Sequence, residues 1–285
     1  CTDNGFTPYI AVYVDGTVGA GGHAEAIARA VGEGGLVLGL DRDPSMLRLA
    51  AERTRGTPTR LFHAAYDQLP EVLASVGIGL VDGLVLDLGL SSDQIAWSQR
   101  GFSFAVEGPL DMRFDPESGG ITAETIINTW EESALADLFF RYGEERFSRR
   151  IARGLVRERQ NHPIRSTSQL AELIRRRVPR GAGRIDPATR VFQALRIQVN
   201  DELKRLEWFL EHFPKMLAPG GRACLISFHS LEDRLVKVAL RGDPRLAVLT
   251  RKPITAASAE TAVNPRARSA KLRVAERCLE PTGSH

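Results

Sequence analysis

The sequence predicts an α/β chain: a doubly wound, mainly parallel sheet with a helical insert after its fourth strand. Three observations predict it. Short apolar runs of strand length alternate with helical patterns through roughly the first ninety residues. A glycine-rich turn follows the first of those runs, and an acid closes the second. From about Glu107 to Ile197 the alternation gives way to polar, arginine-rich helical patterns, and then it resumes.

Taken in order, Val12–Asp15, Leu36–Asp41, Thr59–His63 and Gly83–Asp87 read as strands. Between them His23–Val31, Pro44–Arg53 and Gln68–Val76 read as helices. Pro44 after Asp43 marks a helix start, because proline is pre-set for the first turn and aspartate caps it. This βαβαβαβ order implies parallel strands with helices on both faces. In the insert, Ala134–Tyr142, Arg146–Arg159 and Ser168–Val178 have helical patterns. One helix is expected over Gln193–Met216, followed by a turn at Ala218-Pro-Gly-Gly221, a strand Arg222–Ser227 and a helix from near Leu231. Val248–Arg251 and Ala270–Arg277 are expected to close the sheet as an antiparallel pair. The division is residues 1–106 and 198–285 for the sheet domain, and 107–197 for the insert.

Composition narrows the function classes. The chain has 285 residues and 43% hydrophobic content, ordinary for a globular protein with one large domain plus an insert. No apolar run approaches a membrane span, and no secretory signal is visible, so a cytoplasmic protein without a membrane partner is expected. Cys1, Cys224 and Cys278 lie too far apart for a disulfide framework or a paired-cysteine zinc site. His23, His63 and His229 lack the spacing of a helical metal site, so no metal is expected. The net charge of +3 is unevenly spread: Arg141 to Arg190 holds 14 arginines, no lysine and five acids, leaving the remainder of the chain at −6. Such segregation points to a polyanion, and arginine rather than lysine favours bidentate contact with phosphate. Arg149, Arg150, Arg175, Arg176 and Arg177 are the candidate RNA-binding residues; the alternative is a solvated helical face.

The chemistry concentrates in two clusters. The run Val12-Tyr-Val-Asp-Gly-Thr-Val-Gly-Ala-Gly-Gly-His23 is strand, glycine turn and helix start, and Asp41 ends the next strand. Glycine lets backbone approach a ligand where a Cβ would clash, and an acid in that place accepts hydrogen bonds from a ribose diol. The run lacks G-x-G-x-x-G and G-x-x-x-x-G-K-[ST], and no Lys or Arg lies between Val12 and Ile27 to meet phosphates. A cofactor with ribose but no phosphate fits, and S-adenosylmethionine is the common one. The second cluster, Leu84-Val-Leu-Asp87-Leu-Gly-Leu-Ser-Ser92-Asp-Gln94, leaves the fourth strand at the same sheet edge, where open α/β sheets bind ligands. There Asp87, Ser91 and Ser92 bind cofactor or take a hydrogen bond from an attacking amine, or else simply cap the next turn. Asp111 is a second catalytic candidate. His229, a lone histidine after a strand, reads as structural.

These clusters, with Arg100–Phe104, Gly108–Arg113, Tyr142–Ile151, Pro187–Leu203, Pro219–Lys237 and Asn264–Arg277, together resemble the MraW/RsmH family of bacterial ribosomal RNA methyltransferases. The resemblance runs from about residue 12 to residue 277. It implies a class I methyltransferase, Rossmann-like fold, and transfer of a methyl group from S-adenosylmethionine to N4 of a cytidine in the decoding region of small-subunit ribosomal RNA. Carried over by position, it implies cofactor contacts at Gly21, Gly22, His23, Asp41, Tyr66, Asp87 and Gln94. The family's Ser-Ser-Pro-Gln is Ser91-Ser92-Asp93-Gln94 here, Tyr66 stands for its usual Phe, and nothing in Cys1–Ala11 matches its opening H-x-P-V-L stretch. The partner expected is small-subunit RNA in an assembled or assembling particle, held by the basic insert with Trp97, Phe102 or Phe104 stacking on bases; a homodimer is compatible. Two other readings stand beside it: a non-catalytic RNA-binding or ribosome-assembly protein on the same fold, and a nicotinamide-dependent oxidoreductase.

Overall fold

The computed structural model describes residues 10–179 and 186–279, so Cys1 and the rest of the opening segment lie outside it. The described chain forms two compact units, one of residues 10–89 and 205–279, the other Leu90–Lys204.

The first unit is the sheet. Its strands are β1 (Ala11–Asp15), β2 (Gly35–Asp41), β3 (Thr59–His63), β4 (Val81–Asp87), β5 (Leu217–Ser227), β6 (Leu246–Val248), β7 (Ile254–Thr255) and β8 (Lys271–Arg277). The order is β3-β2-β1-β4-β5-β8-β6, with β7 beside β8. β1 to β5 are parallel, and β8 runs antiparallel to β5, β6 and β7. The strand expected over Ala270–Arg277 is β8, an interior strand rather than an edge, and its partner β6 is Leu246–Val248 rather than the expected Val248–Arg251. The helices are α1 (Gly22–Val31), α2 (Pro44–Arg53), α3 (Leu69–Ser75), α10 (Glu202–His212), α11 (Ser230–Gly242) and α12 (Ser258–Val263).

Strand alternation sorts the two faces. Val12, Val14, Leu38 and Leu40 point into a core closed by Leu69 and Val72 of α3, Leu206 and Phe209 of α10, and Val236 of α11. Tyr13, Val37 and Leu61 point the other way, against Ala24 and Ala28 of α1 and Ala50 of α2. Small alanines let α1 and α2 pack close to the sheet. α2 starts as read, with Asp43 accepting from the Ser45 N–H at 2.9 Å and Pro44 in the first turn. On the α1 face a cavity of about 700 Å³ opens over β4 and β5, lined by Tyr13, Ile27, Val85, Arg222 and Cys224.

The second unit is helical: α4 (Ser92–Ala96), α5 (Ala123–Thr129), α6 (Glu132–Arg141), α7 (Ser148–Arg159), α8 (Thr167–Arg177) and α9 (Pro187–Asn200). Its core joins Met112, Phe139, Ile151, Leu170, Ile174 and Leu195. The sequence boundaries at 107 and 197 differ from those of this unit, because Leu90, Phe102 and Phe104 pack into the same core. Asn200 ties the unit's irregular stretch to α9, donating to Met112 O at 2.7 Å and accepting from the Phe114 N–H at 2.8 Å.

Three details differ from the sequence reading. The single helix expected over Gln193–Met216 is broken at Asp201, whose φ is 52°, and a bidentate Arg196–Glu202 ion pair at 2.8 and 2.9 Å braces the break. α4 and α5 are additional helices, each capped by a hydroxyl: Ser91 accepts from the Gln94 N–H at 3.1 Å, and Thr122 from the Thr125 N–H at 3.1 Å. The Ala218–Gly221 turn appears as a shift in the β4–β5 register between Val81 and Gly83.

Phe209 is fully buried, stacked on Phe213 and edge-on to Tyr66, each at a centroid distance of 5.5 Å. Phe209→Ala is expected to cost about 3–5 kcal/mol in urea unfolding. A loss below about 1 kcal/mol would show that this face of the sheet is not cemented by the aromatic stack.

Candidate active site

Three neighbouring parallel strands, β2, β1 and β4, each end in aspartate: Asp41, Asp15 and Asp87. The loop after β1 is strapped across their ends. The Gly16 N–H donates to Val85 O at 2.9 Å and the Val18 N–H to Leu40 O at 2.8 Å. The Asp87 N–H donates to the Thr17 hydroxyl at 2.6 Å. Gly21 lies at φ 86°, and an added Cβ would sit 3.1 Å from Ala50 Cα, so the turn into α1 requires glycine there. Gly22 opens the helix, and His23 follows it.

The three carboxylates have different surroundings. Asp41 accepts from the Gly19 N–H and the Asp43 N–H, both at 2.8 Å; burial nonetheless pushes its pKa up to about 6. Asp15 is fully buried. Its Oδ1 accepts from the Thr17 N–H at 3.3 Å and its Oδ2 has no hydrogen-bond partner among the described residues. Burial raises its pKa to about 7, against the attraction of His23 and with the repulsion of Asp41 and Asp87. Asp87 is likewise raised, by burial first, with His23 opposing and Glu232 adding; its Oδ1 also lacks a partner. His23 Nδ1 lies 4.0 Å from Asp87 Oδ2, and the His23 side chain is 49% exposed. Beyond β5, Glu232 accepts from the Phe228 N–H at 2.9 Å and donates its own N–H to His229 Nδ1 at 3.3 Å. His229 is thus the cap of α11, a role more specific than the structural one read from the sequence.

Of the residues singled out from the sequence, Gly21, Gly22, His23, Asp41, Tyr66 and Asp87 belong to this unit. Tyr66 follows β3, half-buried against the core through Phe209. Ser91, Ser92, Gln94 and Asp111 belong to the helical unit. There Ser91 and Gln94 form the capping box of α4: the Gln94 amide oxygen accepts from the Ser91 N–H at 3.0 Å, and Ser92 is exposed in the first turn. Asp111 accepts from two of the Arg113 guanidinium nitrogens, Nε at 2.8 Å and Nη2 at 2.7 Å. Burial favours its neutral form, but these bonds hold it below the usual carboxylate range, which makes it a weak proton acceptor. Phe102 is buried beside Phe114, and Phe104 packs on Phe192 with Arg175 over its ring, so neither offers a free face for stacking a base. Asp15 is the residue the sequence reading passed over. Its signal was there: three apolar runs end in the same acid.

The arrangement suits a ligand with a ribose diol and a positive charge. Asp41 has accepting lone pairs beside the loop amides, and the unpartnered oxygens of Asp15 and Asp87 call for N–H donors or a cation. A doubly wound sheet with a glycine turn and an acid on the next strand defines a nucleoside-cofactor-binding α/β protein. The chain belongs to the MraW methylase family, whose model matches residues 8–278. Among its relatives are proteins named Ribosomal RNA small subunit methyltransferase H. That of Synechococcus elongatus is 49% identical over 94% of this chain and 88% of its own length. That of Geobacter sulfurreducens is 47% identical over 93% and 92%, and that of Deinococcus radiodurans 48% over 96% and 86%. The chain is therefore a methyltransferase, and the oxidoreductase alternative falls away.

The raised carboxylates set a sign. Asp15 and Asp41 bind protons more tightly folded than unfolded, so between about pH 4 and pH 7 the folded state holds more protons and stability falls as pH rises. Asp15→Asn is expected to raise the Tm of ligand-free protein at pH 8 by at least about 2–4 °C, the shift that about 1 kcal/mol gives at this size. At pH 4 it is expected to give no gain. Calorimetry at the two pH values decides; an equal effect at both would mean that Asp15 carries no uncompensated charge.

Proposed function

We propose that this chain transfers a methyl group from S-adenosylmethionine to N4 of a cytidine in the decoding region of small-subunit ribosomal RNA, in the cytoplasm. Family membership and the names of its relatives support methylation of that RNA. The observation that carries the mechanism is the row of three strand-end aspartates, two of them with an oxygen that has no hydrogen-bond partner among the described residues.

When bound, the cofactor supplies a methyl group activated on a sulfonium. Asp41 would hold its ribose hydroxyls, with the loop at Gly21 and Gly22 giving close backbone approach and Tyr66 lying against the adenine. Asp15 would take the positively charged amino-acid end and leave Asp87 to serve both cofactor and target. Gln94 enters as a further cofactor contact from the family resemblance alone.

The exocyclic amine of cytosine is a weak nucleophile, because its lone pair is delocalised into the ring. The target base has to be unstacked before N4 is accessible. As the N–C bond forms and the C–S bond breaks, N4 gains positive charge and must lose one proton. Asp87 is the acceptor we assign to it. Its raised pKa brings it nearer to neutral working pH, its Oδ1 has no hydrogen-bond partner among the described residues, and its side chain is 35% exposed, so the proton can pass to solvent. Ser91 and Ser92 remain candidates only for orienting the amine, since the Ser91 hydroxyl already caps α4.

Transfer of labelled methyl to small subunits lacking the modification, followed by nucleoside analysis, is expected to give N4-methylcytidine; methyl on ring carbon, or none, contradicts the proposal. Asp41→Ala is expected to weaken S-adenosylmethionine binding at least about tenfold in calorimetric titration, since hydrogen bonds to a charged group are worth about 1.5–3 kcal/mol. Asp87→Asn is expected to slow single-turnover transfer at saturating cofactor at least about tenfold, or about 1.4 kcal/mol, with a smaller change in affinity. Wild-type rates there would leave Asp87 a binding residue only.

A further inference from the structure

The insert's arginines are not equivalent. On α8, Arg175 is paired with Asp186 at 2.7 Å and lies over the Phe104 ring, and Arg176 is paired with Glu172 one turn back. Arg177 packs over Gly154, and its buried Nε faces no acceptor. Arg175 and Arg176 thus each face a carboxylate of their own unit. Arg190 reaches toward the buried Glu145, and Arg159 donates to Ile127 O at 2.7 Å.

α7 differs. Arg149, Arg150, Arg153 and Arg157 are all exposed. At 3.6 residues per turn they fall within an arc of about 100°, and Arg149 to Arg157 spans about 12 Å of axis. Ile151, Ala152 and Leu155 occupy the opposite, buried side. Among the described residues Arg149, Arg150 and Arg157 make no ion pair, and Arg153 reaches only Glu132, at 3.4 Å. An exposed pair of that length holds little energy. Four guanidinium groups on one face, with a single carboxylate among them, repel one another and so oppose the fold unless a polyanion lies against them. The adjoining helix α6 adds Phe140, which is 63% exposed.

We infer that the α7 arginine stripe, and not the α8 triplet, is the surface of this unit that grips the phosphate backbone of the RNA substrate. The inference rests on the proposed RNA reaction for the identity of the polyanion. The charge layout fits phosphates: guanidinium groups about 6 Å apart along the axis at Arg149, Arg153 and Arg157 present repeated bidentate donors to a regularly charged strand. The contact is to backbone, so it positions the RNA without reading its sequence.

The test measures binding of purified small-subunit ribosomal RNA across a salt series. The proteins are the full chain, the α7 variant Arg149→Gln/Arg153→Gln/Arg157→Gln and the α8 variant Arg175→Gln/Arg176→Gln. All three substituted α7 side chains are exposed, and circular dichroism with S-adenosylmethionine titration verifies that each protein is folded. Removing three phosphate contacts is expected to lower the log–log salt slope by about 2 and to weaken binding at least tenfold at low salt. The α8 variant is expected to stay within about threefold of wild type, and cofactor affinity to stay unchanged in both. An unchanged slope in the α7 variant, or a larger loss in the α8 variant, overturns the assignment. So does a loss seen only with assembled subunits and not with naked RNA, which would make the stripe a protein-docking face. The two readings fail separately. A wild-type chain that transfers no methyl while the α7 variant still loses RNA affinity sinks the reaction and leaves the surface. A variant that binds and methylates like wild type sinks the surface alone.

Discussion

The sheet unit is organised around an electrostatic imbalance at its carboxyl edge. Asp41, Asp15 and Asp87 close three adjacent strands, and no Arg or Lys reaches any of them among the hydrogen bonds and ion pairs of the described residues. Burial resists their ionisation, and they resist one another's. Such groups are costly to keep in an empty protein, and hydrogen bonds from the loop offset only part of the cost. The rest of the unit makes the arrangement rigid. The glycine loop is strapped to β4 and β2 through backbone bonds, the alanines of α1 and α2 let the helices sit close, and the aromatic stack of α10 fixes the opposite face. Asp15 is fully buried and cannot turn to water, so a ligand with matching donors and positive charge is what completes the row. Preorganised charge of this kind acts without reorganisation when the reaction occurs.

The helical unit handles its charge in the opposite way. Several of its acids are answered: Asp111 by Arg113, Glu202 by Arg196 and Glu145 by Arg190. Its arginines outnumber its acids, and Arg149, Arg150 and Arg157, which make no ion pair among the described residues, lie on the outside of α7. Net charge read along the chain could locate the excess but could not assign it to a face. The same residue type both locks the fold, as Arg100 does with the Arg113 and Phe114 carbonyls, and stands free in solvent.

That distinction marks how far the sequence could be read. The parallel strands, the glycine turn and the helix starts are local patterns, and they appear where their periodicity and caps put them. The break at Asp201 was invisible, because the apolar spacing of α9 and α10 runs on through it, and only an aspartate in a left-handed conformation separates them. α4 and α5 were missed because they are short and depend on hydroxyl caps more than on an amphipathic stripe. In the site, Asp41 and Asp87 were legible from the strand ends, and Tyr66 and Gln94 only by family resemblance. Asp15 was legible as a strand end like the other two, but it was passed over because its complete burial is set by packing and does not show in the sequence. The aromatic residues near Arg100 illustrate the converse: Phe102 and Phe104 looked available in the sequence and are part of a core.

The claim that buried, partly protonated carboxylates wait for a positively charged ligand has a direct thermodynamic signature. Calorimetric titration of S-adenosylmethionine near pH 6.5, repeated in buffers of different ionisation enthalpy, measures the protons exchanged on binding. With Asp15 and Asp41 titrating at about 7 and about 6 when empty, arrival of a cation and of hydroxyl donors drives them to the ionised form. Binding is then expected to release protons, on the order of one per site, with the release fading well above pH 7. Heats that are independent of the buffer, or a net uptake of protons, would contradict the account.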